Sequence, residues 1–564
     1  MDRRTFLAIL LTAIVVVVTP LLFPSGRPSV QDTARVVADS VAAQGAKHGA
    51  PPGAPNIGKS APSANQTGAV ASPRGRDTVV QRMPRAALAV STLGAAPVWA
   101  ELSDYRNLNP HERGTPVILS AGNELSLLSY RLTAGGEDLA LDSLAFGVSH
   151  ETNASTNTPE LLFRSNTGAR RLSVAYAFPP DGPRRYVTHV TVRLENAPTG
   201  TALQVALPRR LVSAERDTLD DDRHLAIAFK PLQKNVENRP FTKLDSGTIE
   251  SIAGPQAWVG VRNKYFLVAV LAPPGGISNL KLEGQPKGKD TPPRLSSVAT
   301  LVVNHDTAGF DLYTGPQEFE RLRNIGSDLD QVNPYAGWTH SVVQPFATLV
   351  TRVLLWMKST TGLGYGWVIV IFGVVIRILL WPLNQSAMRT SMRMQRLQPE
   401  LAEVQARYKS DPEKQREALV KLYAAHGMSP LSPVMGCLPM LLPMPIILAL
   451  YFVFQNTIEF RGVSFLWLPD ISVADPYYIT PLLMGASMFV LSWVGMRGTP
   501  PTPQTKAMSY MMPVVLTVLF YRFAAGLNLY YAVQNVAALP QQWLLSRERL
   551  QTSAAAALKK PART

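Results

Sequence analysis

The chain has 564 residues, 46% of them hydrophobic, and carries 55 Lys and Arg against 40 Asp and Glu, for a net charge of +15. The basic residues are spread along the chain and form no aromatic-interleaved face, which argues against a nucleic-acid-binding module. The single cysteine, Cys437, excludes an internal disulfide. Nearly uninterrupted apolar runs cluster after residue 345, so the composition indicates a soluble domain followed by a membrane domain.

The N-terminus has a short basic start and then an apolar run from Phe6 to Phe23. This run is long for the core of a signal peptide, and no tidy small-residue cleavage site follows Pro24. We therefore predict that residues 1–24 form an uncleaved transmembrane anchor with its N-terminus inside the cell. A cleaved signal peptide is the alternative.

Residues 25–98 are rich in Ala, Pro, Gly and Ser and poor in aromatic residues, a composition that predicts a disordered linker. Within it, the letters GAPNIGKS from Gly53 to Ser60 match the pattern of a phosphate-binding loop. Such a loop needs a buried strand before it and a helix after it, so that backbone N–H groups face the phosphates. The surrounding prolines and polar residues provide neither, and we predict no nucleotide site.

Residues 99–335 contain short segments of alternating apolar and polar residues, separated by Pro, Gly and Asn. The clearest are residues 171–178, 186–196, 258–272 and 298–306. Alternation with period two and regular turn signals predicts a large antiparallel β-sandwich domain.

The chemistry of this β domain gives no sign of catalysis. Its histidines, His111, His150, His189, His224 and His305, lack metal-ligand spacing. The run from Asp220 to Asp222 reads as a solvated loop rather than a calcium site. No hydrolase or metalloprotease motif is present, so the sequence predicts neither an enzyme nor a metal or cofactor site.

The second half begins with residues 342–359, whose apolar residues recur at helical spacing around Arg352 and Lys358. This segment is too interrupted to cross a membrane and predicts an amphipathic helix at the membrane interface. A helix packed on the β domain is the alternative. A polytopic α-helical core follows at 366–545, with five predicted spans at residues 366–383, 437–457, 476–494, 508–523 and 525–545.

Charges in the connecting segments predict the orientation of these spans. Residues 384–430, residues 495–507 and the tail 546–564 carry an excess of Lys and Arg, whereas residues 458–475 are mainly acidic. Because basic loops are retained in the cytoplasm, the pattern predicts that both termini are inside and that the β domain is outside.

The inner segment 384–430 reads as two charged helices joined by a turn at Asp411, which is a cytoplasmic helical hairpin. Flexible methionine side chains suit a surface that meets varied apolar partners. We therefore predict contacts with apolar partners on this hairpin at Met388, Met392 and Met394. A solvated connector is the alternative.

One charge interrupts the first predicted span of the core, VIVIFGVVIRILLWPL at residues 368–383, and that charge is Arg377. No Asp or Glu lies within any of the five spans. An intramembrane arginine without an acidic partner predicts a water-filled recess with a positive floor, open to a polar or acidic group that enters it. In the alternative, structural reading, helix carbonyls or polar neighbours satisfy it, such as Gln455, Asn528, Tyr531, Gln534 and Asn535.

At this point the sequence resembles the YidC membrane protein insertases of the bacterial inner membrane. The resemblance is strong from residue 335 to 545, in WPLNQSAMRTSMRMQRLQPEL, GCLPMLLPMPIILALYFVFQNTIEFR and MMPVVLTVLFYRFAAGLNLYYAVQN. It is weaker in the β domain, in WVGVRNKYF and LYTGPQEF. It implies a periplasmic β supersandwich similar to sugar-mutarotase folds, without enzyme activity, and a groove open to cytoplasm and lipid.

By this resemblance Arg377 matches the family's groove arginine, Tyr531 an aromatic of the last span, and Phe452 and Phe454 an apolar slide for the client. Gly373 stands where some relatives carry a hydroxyl group, and Arg522 stands where some are apolar. The predicted client groove is therefore lined by Arg377, Gly373, Tyr531, Gln534, Phe452, Phe454 and Gln455.

The function that the resemblance implies is insertion, folding and assembly of inner-membrane proteins, alone or with the Sec translocon. Its partners would be nascent membrane proteins, the ribosome, the Sec translocon and membrane lipids, with no cofactor. Two alternatives stay open at the level of sequence. One is an anion channel or transporter that uses Arg377, and the other is an envelope scaffold whose β domain binds a glycan or a protein.

Overall fold

The structure is a computed structural model. It describes residues 77–120, 126–134, 136–152, 158–167, 170–178, 180–285, 292–333, 340–382, 384–385, 411–426, 444–497 and 503–558, with isolated positions between 397 and 408. The predicted anchor at 1–24 and most of the predicted linker lie outside the described residues, as do the hairpin methionines Met388, Met392 and Met394.

The ordered chain starts earlier than the predicted linker boundary at residue 98. Strands β1 (Thr78–Arg82), β2 (Ala86–Ser91), β3 (Pro97–Arg106) and β4 (Pro116–Ile118) form a four-stranded antiparallel sheet. All six residues of β2, AALAVS, are buried. Alanine is depleted in strands, so an Ala-rich strand resembles a linker in composition, and the predicted boundary was wrong for this reason.

The β domain is dominated by one fourteen-stranded sheet with antiparallel neighbours. Twelve strands follow the order β6-β5-β11-β17-β16-β14-β15-β18-β10-β9-β8-β7, and β12 pairs with both β13 and β14. Its strands are β5 (Ser129–Ala134), β6 (Glu137–Ala140), β7 (Gly147–Thr152), β8 (Pro159–Thr167), β9 (Arg170–Ala177), β10 (Val187–Leu194), β11 (Ala202–Ala206), β12 (Ala226–Pro231), β13 (Glu237–Pro240), β14 (Ile249–Arg262), β15 (Phe266–Leu271), β16 (Ile277–Gly284), β17 (Leu295–Val302) and β18 (Thr307–Pro316).

The alternating segments form strands as predicted, with one difference. Residues 258–272 are not one strand but the hairpin between β14 and β15. The turn uses the side chain of Asn263, whose Oδ1 accepts hydrogen bonds from the backbone N–H groups of Tyr265 and Phe266 at 3.2 and 2.8 Å. An asparagine side chain that replaces a backbone acceptor makes a turn without glycine or proline, which explains why the break was missed.

The aspartate run is not a solvated loop, because it lies in a short helix, α1 (Thr218–Arg223). The Asp221 side chain is buried and accepts hydrogen bonds from Asn263 Nδ2 at 3.1 Å and from the Lys264 backbone N–H at 3.0 Å. Asp220 pairs with the Lys264 ammonium at 2.9 Å. The run therefore holds the β14–β15 turn in place.

Eight further α-helices have defined bounds among the described residues. They are α2 (Phe319–Ile325), α3 (His340–Thr361), α4 (Tyr365–Leu379), α5 (Pro412–Ala425), α6 (Met444–Asn456), α7 (Ile479–Met496), α8 (Pro503–Phe520) and α9 (Ala525–Leu558). Helices α4, α6, α7, α8 and α9 coincide with the five predicted spans. Among the residues that the structure describes, only α7 is long and apolar enough to cross a membrane by itself, and α3 with α4 passes as a bent pair.

The chain bends by 117° between helix α3 and helix α4. The turn between them contains Gly362 with φ of +69°, a left-handed conformation that favours glycine. One face of α3 is buried in the helical core, while Leu349 and Trp356 on another face are 58% and 64% exposed. The interfacial location of α3 stays a prediction. Arg352 also lies over the ring of Phe319 in α2, at 5.8 Å.

The β domain and the helices meet at the segment that follows α6. Ile458 is buried in the core of the β domain. The Arg461 guanidinium pairs with Glu215 at 2.7 Å and donates to the carbonyl oxygens of Arg106 and Ala214, both at 3.0 Å. The Tyr265 hydroxyl donates to the Gln455 carbonyl at 3.2 Å. These contacts, which we call the junction, tie the two parts of the chain together.

Candidate functional site

A cavity with a volume of about 710 Å³ lies between helices α4, α7 and α9. We call it the pocket. Helix α4 contributes one wall, with Arg377 near its C-terminal end, while α7 and α9 contribute the others. Its lining residues are Val370, Val374, Arg377, Ile378, Trp381, Leu483, Ala486, Ser487, Ala532, Val533, Val536 and Ala537.

This lining is mostly apolar, which differs from the water-filled recess that the sequence predicted. Among the lining residues that the structure describes, the side chains with hydrogen-bonding groups are those of Arg377 and Ser487 and the indole of Trp381. Ser487 is already engaged, since its Oγ accepts from Asn535 Nδ2 at 3.2 Å. The pocket is therefore a mostly apolar cleft that contains one guanidinium group.

Arg377 is held by a side chain that sequence reasoning missed. Its Nη2 donates to Oε1 of Gln541 in α9 at 2.9 Å. The Nε group is buried and has no hydrogen-bond partner among the described residues. Guanidinium has five N–H donors in a fixed fork, and the hydrogen bond to Gln541 uses one of them. Because Nε is buried, a group that enters the pocket would meet the Nη donors.

Helix α9 presents a polar stripe toward α4. Gln534 Nε2 donates to the Gly373 carbonyl at 2.8 Å and to the Tyr530 hydroxyl at 3.0 Å. Gln541 follows Gln534 by seven residues, or about two helical turns, and therefore lies on the same face. That spacing is the one sequence signal that could have pointed to Gln541.

Gly373 marks the close approach of α4 and α9. A Cβ atom at this position would lie 3.0 Å from Cγ1 of Val533, which is tighter than ordinary contact. A side chain at this position would require Val533 to move by a few tenths of an ångström. The backbone carbonyl of Gly373 accepts a hydrogen bond from α9 instead.

Family models match two parts of the chain. Residues 82–349 match the YidC periplasmic domain, and residues 356–552 match the 60Kd inner membrane protein. A membrane protein insertase YidC of Chlorobaculum parvum is 30% identical over 430 residues, which cover 68% of this chain and 71% of that protein. The chain belongs to the YidC membrane protein insertase family.

Other YidC proteins match as well. The Bordetella pertussis insertase is 28% identical over 479 residues, 82% of each chain, and the Chlorobium limicola insertase is 31% identical over 373 residues, 62% of each. A solved structure of an active YidC insertase covers 84% of this chain and 93% of its own, at 20% identity and a TM-score of 0.33. The family assignment rests on the sequence matches.

Membership of the YidC family confirms the predicted family and the predicted two-part fold, a large antiparallel β domain followed by a helical domain. It also makes the chain an inner-membrane protein with a periplasmic domain and places it in the insertase class rather than among enzymes. Among the described residues, no group of three His, Cys, Asp or Glu side chains could hold a metal ion.

Several predicted groove residues of this YidC chain lie away from the pocket. Phe454 is fully buried and packs its ring on Phe460 and Tyr530, with centroids 5.4 and 6.5 Å apart, so it offers no surface to a client. The half-buried Phe452 packs on Tyr451 at 5.1 Å. Of the seven predicted groove residues, only Arg377 is in the pocket wall.

Two more predicted groove residues, Tyr531 and Gln455, lie on different parts of the YidC helical domain. The Tyr531 ring contacts Phe520 of α8 edge-on, with centroids 5.5 Å apart. Gln455 is at the junction, where its backbone carbonyl accepts from Tyr265. The predicted slide on α6 is thus mainly internal packing.

Proposed function

We propose that this insertase holds the apolar segment of a client in the pocket between α4, α7 and α9 while Arg377 binds a polar or acidic group beside that segment. The observation that carries the proposal is the guanidinium of Arg377, the one charged group among the described lining residues, in the wall of a mostly apolar cleft. Apolar walls suit a membrane segment, and the guanidinium suits its translocated tail.

Rough magnitudes support a transient hold. A contact between Arg377 and a carboxylate near 4 Å is worth up to about 4 kcal/mol at an effective dielectric of about 20, before desolvation is subtracted. Apolar contact adds about 25 cal/mol for each Å² removed from water. Lipid offers the client the same apolar contact, so the client can leave sideways without an energy source such as a nucleotide.

The membrane potential supplies direction. We propose that the tail moves outward, because a potential that is negative inside favours outward movement of each acidic group by about 2.3 kcal/mol per 100 mV. Clients would arrive from the ribosome or the Sec translocon at the cytoplasmic side. Helix α9, with 34 residues, is longer than a bilayer requires and would extend toward them with its basic residues Arg547 and Arg549.

We further propose that both termini are cytoplasmic, that the β domain is periplasmic, and that α3 lies at the outer interface. Single cysteines in a Cys437→Ser background test this topology. Positions His150 and Ser464, both exposed, should react with an impermeant thiol reagent in spheroplasts. The exposed Gln551 should react only after the membrane is opened. Labelling of position 551 from outside would contradict the topology.

The insertion proposal is tested with purified full-length protein in lipid vesicles. The Asp probe is a single-span protein with one Asp in a short N-terminal tail, and the Asn probe differs only by Asn at that position. We expect the tail of the Asp probe to become protected from external protease in vesicles that contain the insertase, well above empty vesicles. Equal protection of the Asp probe in vesicles with and without the insertase, together with chloride flux through the protein, would favour the anion channel instead.

A further inference from the structure

Gln541 occupies a position that a hydrophobic side chain would be expected to fill. It is 2% exposed, in the interior between α9 and α4. A buried side-chain amide is costly unless both of its ends are hydrogen-bonded. Both ends of Gln541 are satisfied, and both partners belong to the same end of α4.

The two hydrogen bonds fix the orientation of this amide. Oε1 accepts from Arg377 Nη2 at 2.9 Å, and Nε2 donates to the Trp381 carbonyl oxygen at 3.1 Å. A flipped amide would set its NH₂ group against the guanidinium donors and its oxygen against a carbonyl oxygen. Neither contact would then be a hydrogen bond, so only one orientation is compatible with this site.

The chemistry of the acceptor matters as much as its position. A carboxylate at this position would hold the guanidinium equally well but would cancel its charge. The neutral amide holds one N–H group of the guanidinium and leaves its full positive charge. Gln541 is also bonded to the backbone at the end of α4, so the guanidinium and the helix end are held together.

We propose that Gln541 is a positioning residue for Arg377, which aims the guanidinium at the pocket while leaving its charge for an acidic group of the client. This inference rests on the proposed function, because it assigns a cause to the selectivity of the same site.

Three variants of the full-length insertase test it in the vesicle assay with the Asp and Asn probes. Gln541→Glu keeps the shape of the side chain and its hydrogen bond to Arg377, but its carboxylate neutralises the charge of the guanidinium. Gln541→Met keeps length and removes the acceptor. Gln542→Glu is the matched control, since it places the same charge one residue along, where the side chain faces Gly495 of α7.

With Gln541→Glu we expect the ratio of Asp-probe to Asn-probe insertion to fall about tenfold, the effect of losing one charge-assisted contact. With Gln541→Met we expect a severalfold fall in Asp-probe insertion, because Arg377 is no longer held. The control should keep the wild-type ratio.

The outcomes separate the inference from the proposed function. If the wild-type protein inserts neither probe, the proposed function fails. If the wild type inserts the Asp probe and both Gln541 variants retain its ratio at matched protein level, the inference is overturned and Gln541 only fills space. If Gln541→Glu fails to accumulate, Gln541→Met decides alone. Insertion of the Asp probe by Gln541→Met at the level of the wild-type protein would then overturn the inference.

Discussion

Replacement of Arg377 by alanine is expected to lower insertion of the Asp probe roughly thirtyfold, the equivalent of about 2 kcal/mol for a lost hydrogen bond to a charged group. The Asn probe should lose much less, because the missing energy is Coulombic. Arg377→Lys keeps the charge without the planar fork, so it should retain much of the difference between the two probes. Protease protection in vesicles at matched insertase level is the measurement.

Arg522→Ala is the matched control for this experiment. Arg522 is an exposed arginine between α8 and α9 that lies over the Tyr521 ring at 5.2 Å, outside the pocket. The Arg522→Ala variant should insert both probes at nearly the wild-type level. An equal loss for the two probes in Arg377→Ala, or a fall in folded protein that accounts for the defect, would refute the electrostatic role of Arg377 and leave a structural arginine.

The second large effect is expected at the junction, where Arg461→Ala should destabilise the protein by about 3–5 kcal/mol. The Arg461 and Glu215 side chains are 4% and 10% exposed, and loss of the arginine leaves a buried carboxylate without its ion pair. Burial raises the pKa of Glu215 to about 7, an effect that Arg461 opposes. Unfolding of the detergent-solubilised protein, followed by the near-ultraviolet signal of the β domain, measures the loss.

The effect of Arg461→Ala should depend on pH. A carboxyl group whose folded-state pKa is raised is stabilising in its protonated form below the unfolded value near 4.5, and this stability is lost as pH rises through the folded value. In Arg461→Ala the strongest opposing interaction is lost and only the charge of Lys264 still lowers the pKa of Glu215, so the stability deficit should be smaller at acidic pH and grow toward pH 8.

A double-mutant cycle controls this prediction. Glu215→Gln with Arg461→Ala should cost clearly less than the sum of the single variants, because the orphaned charge is then absent. Strictly additive losses, with no change between acidic and neutral pH, would mean that the pair contributes nothing beyond packing.

Many strands of the β domain were predictable because they bury one face, so that their sequences alternate with period two, as in β9. Two features were not. Strand β2 is buried on both faces and built from small residues, which removes the alternation, and the β14–β15 turn depends on an asparagine side chain rather than on glycine or proline.

In the helical domain, Arg377 was predictable because a charge in an apolar run is conspicuous. Gln541 was not, since its partner is 164 residues away in sequence and a single glutamine in a helix carries no signal of its own. Phe454 was misread for a related reason. Lipid-facing and protein-facing positions of a membrane helix are both apolar, so the sequence cannot distinguish a client slide from internal packing.

The bend between α3 and α4 has a consequence for the lipid around the pocket. Helix α4 has 15 residues, and at about 1.5 Å per residue it is about 22 Å long. The 117° turn at its start prevents α3 from adding length. Helical residues 381, 382, 384 and 385 follow α4 and complete a length that matches a hydrocarbon core about 30 Å thick. On the proposed topology Arg377 lies about 12 Å from the cytoplasmic end of this longer span, at about 1.5 Å per residue, so a client tail that reaches it has crossed only part of the lipid.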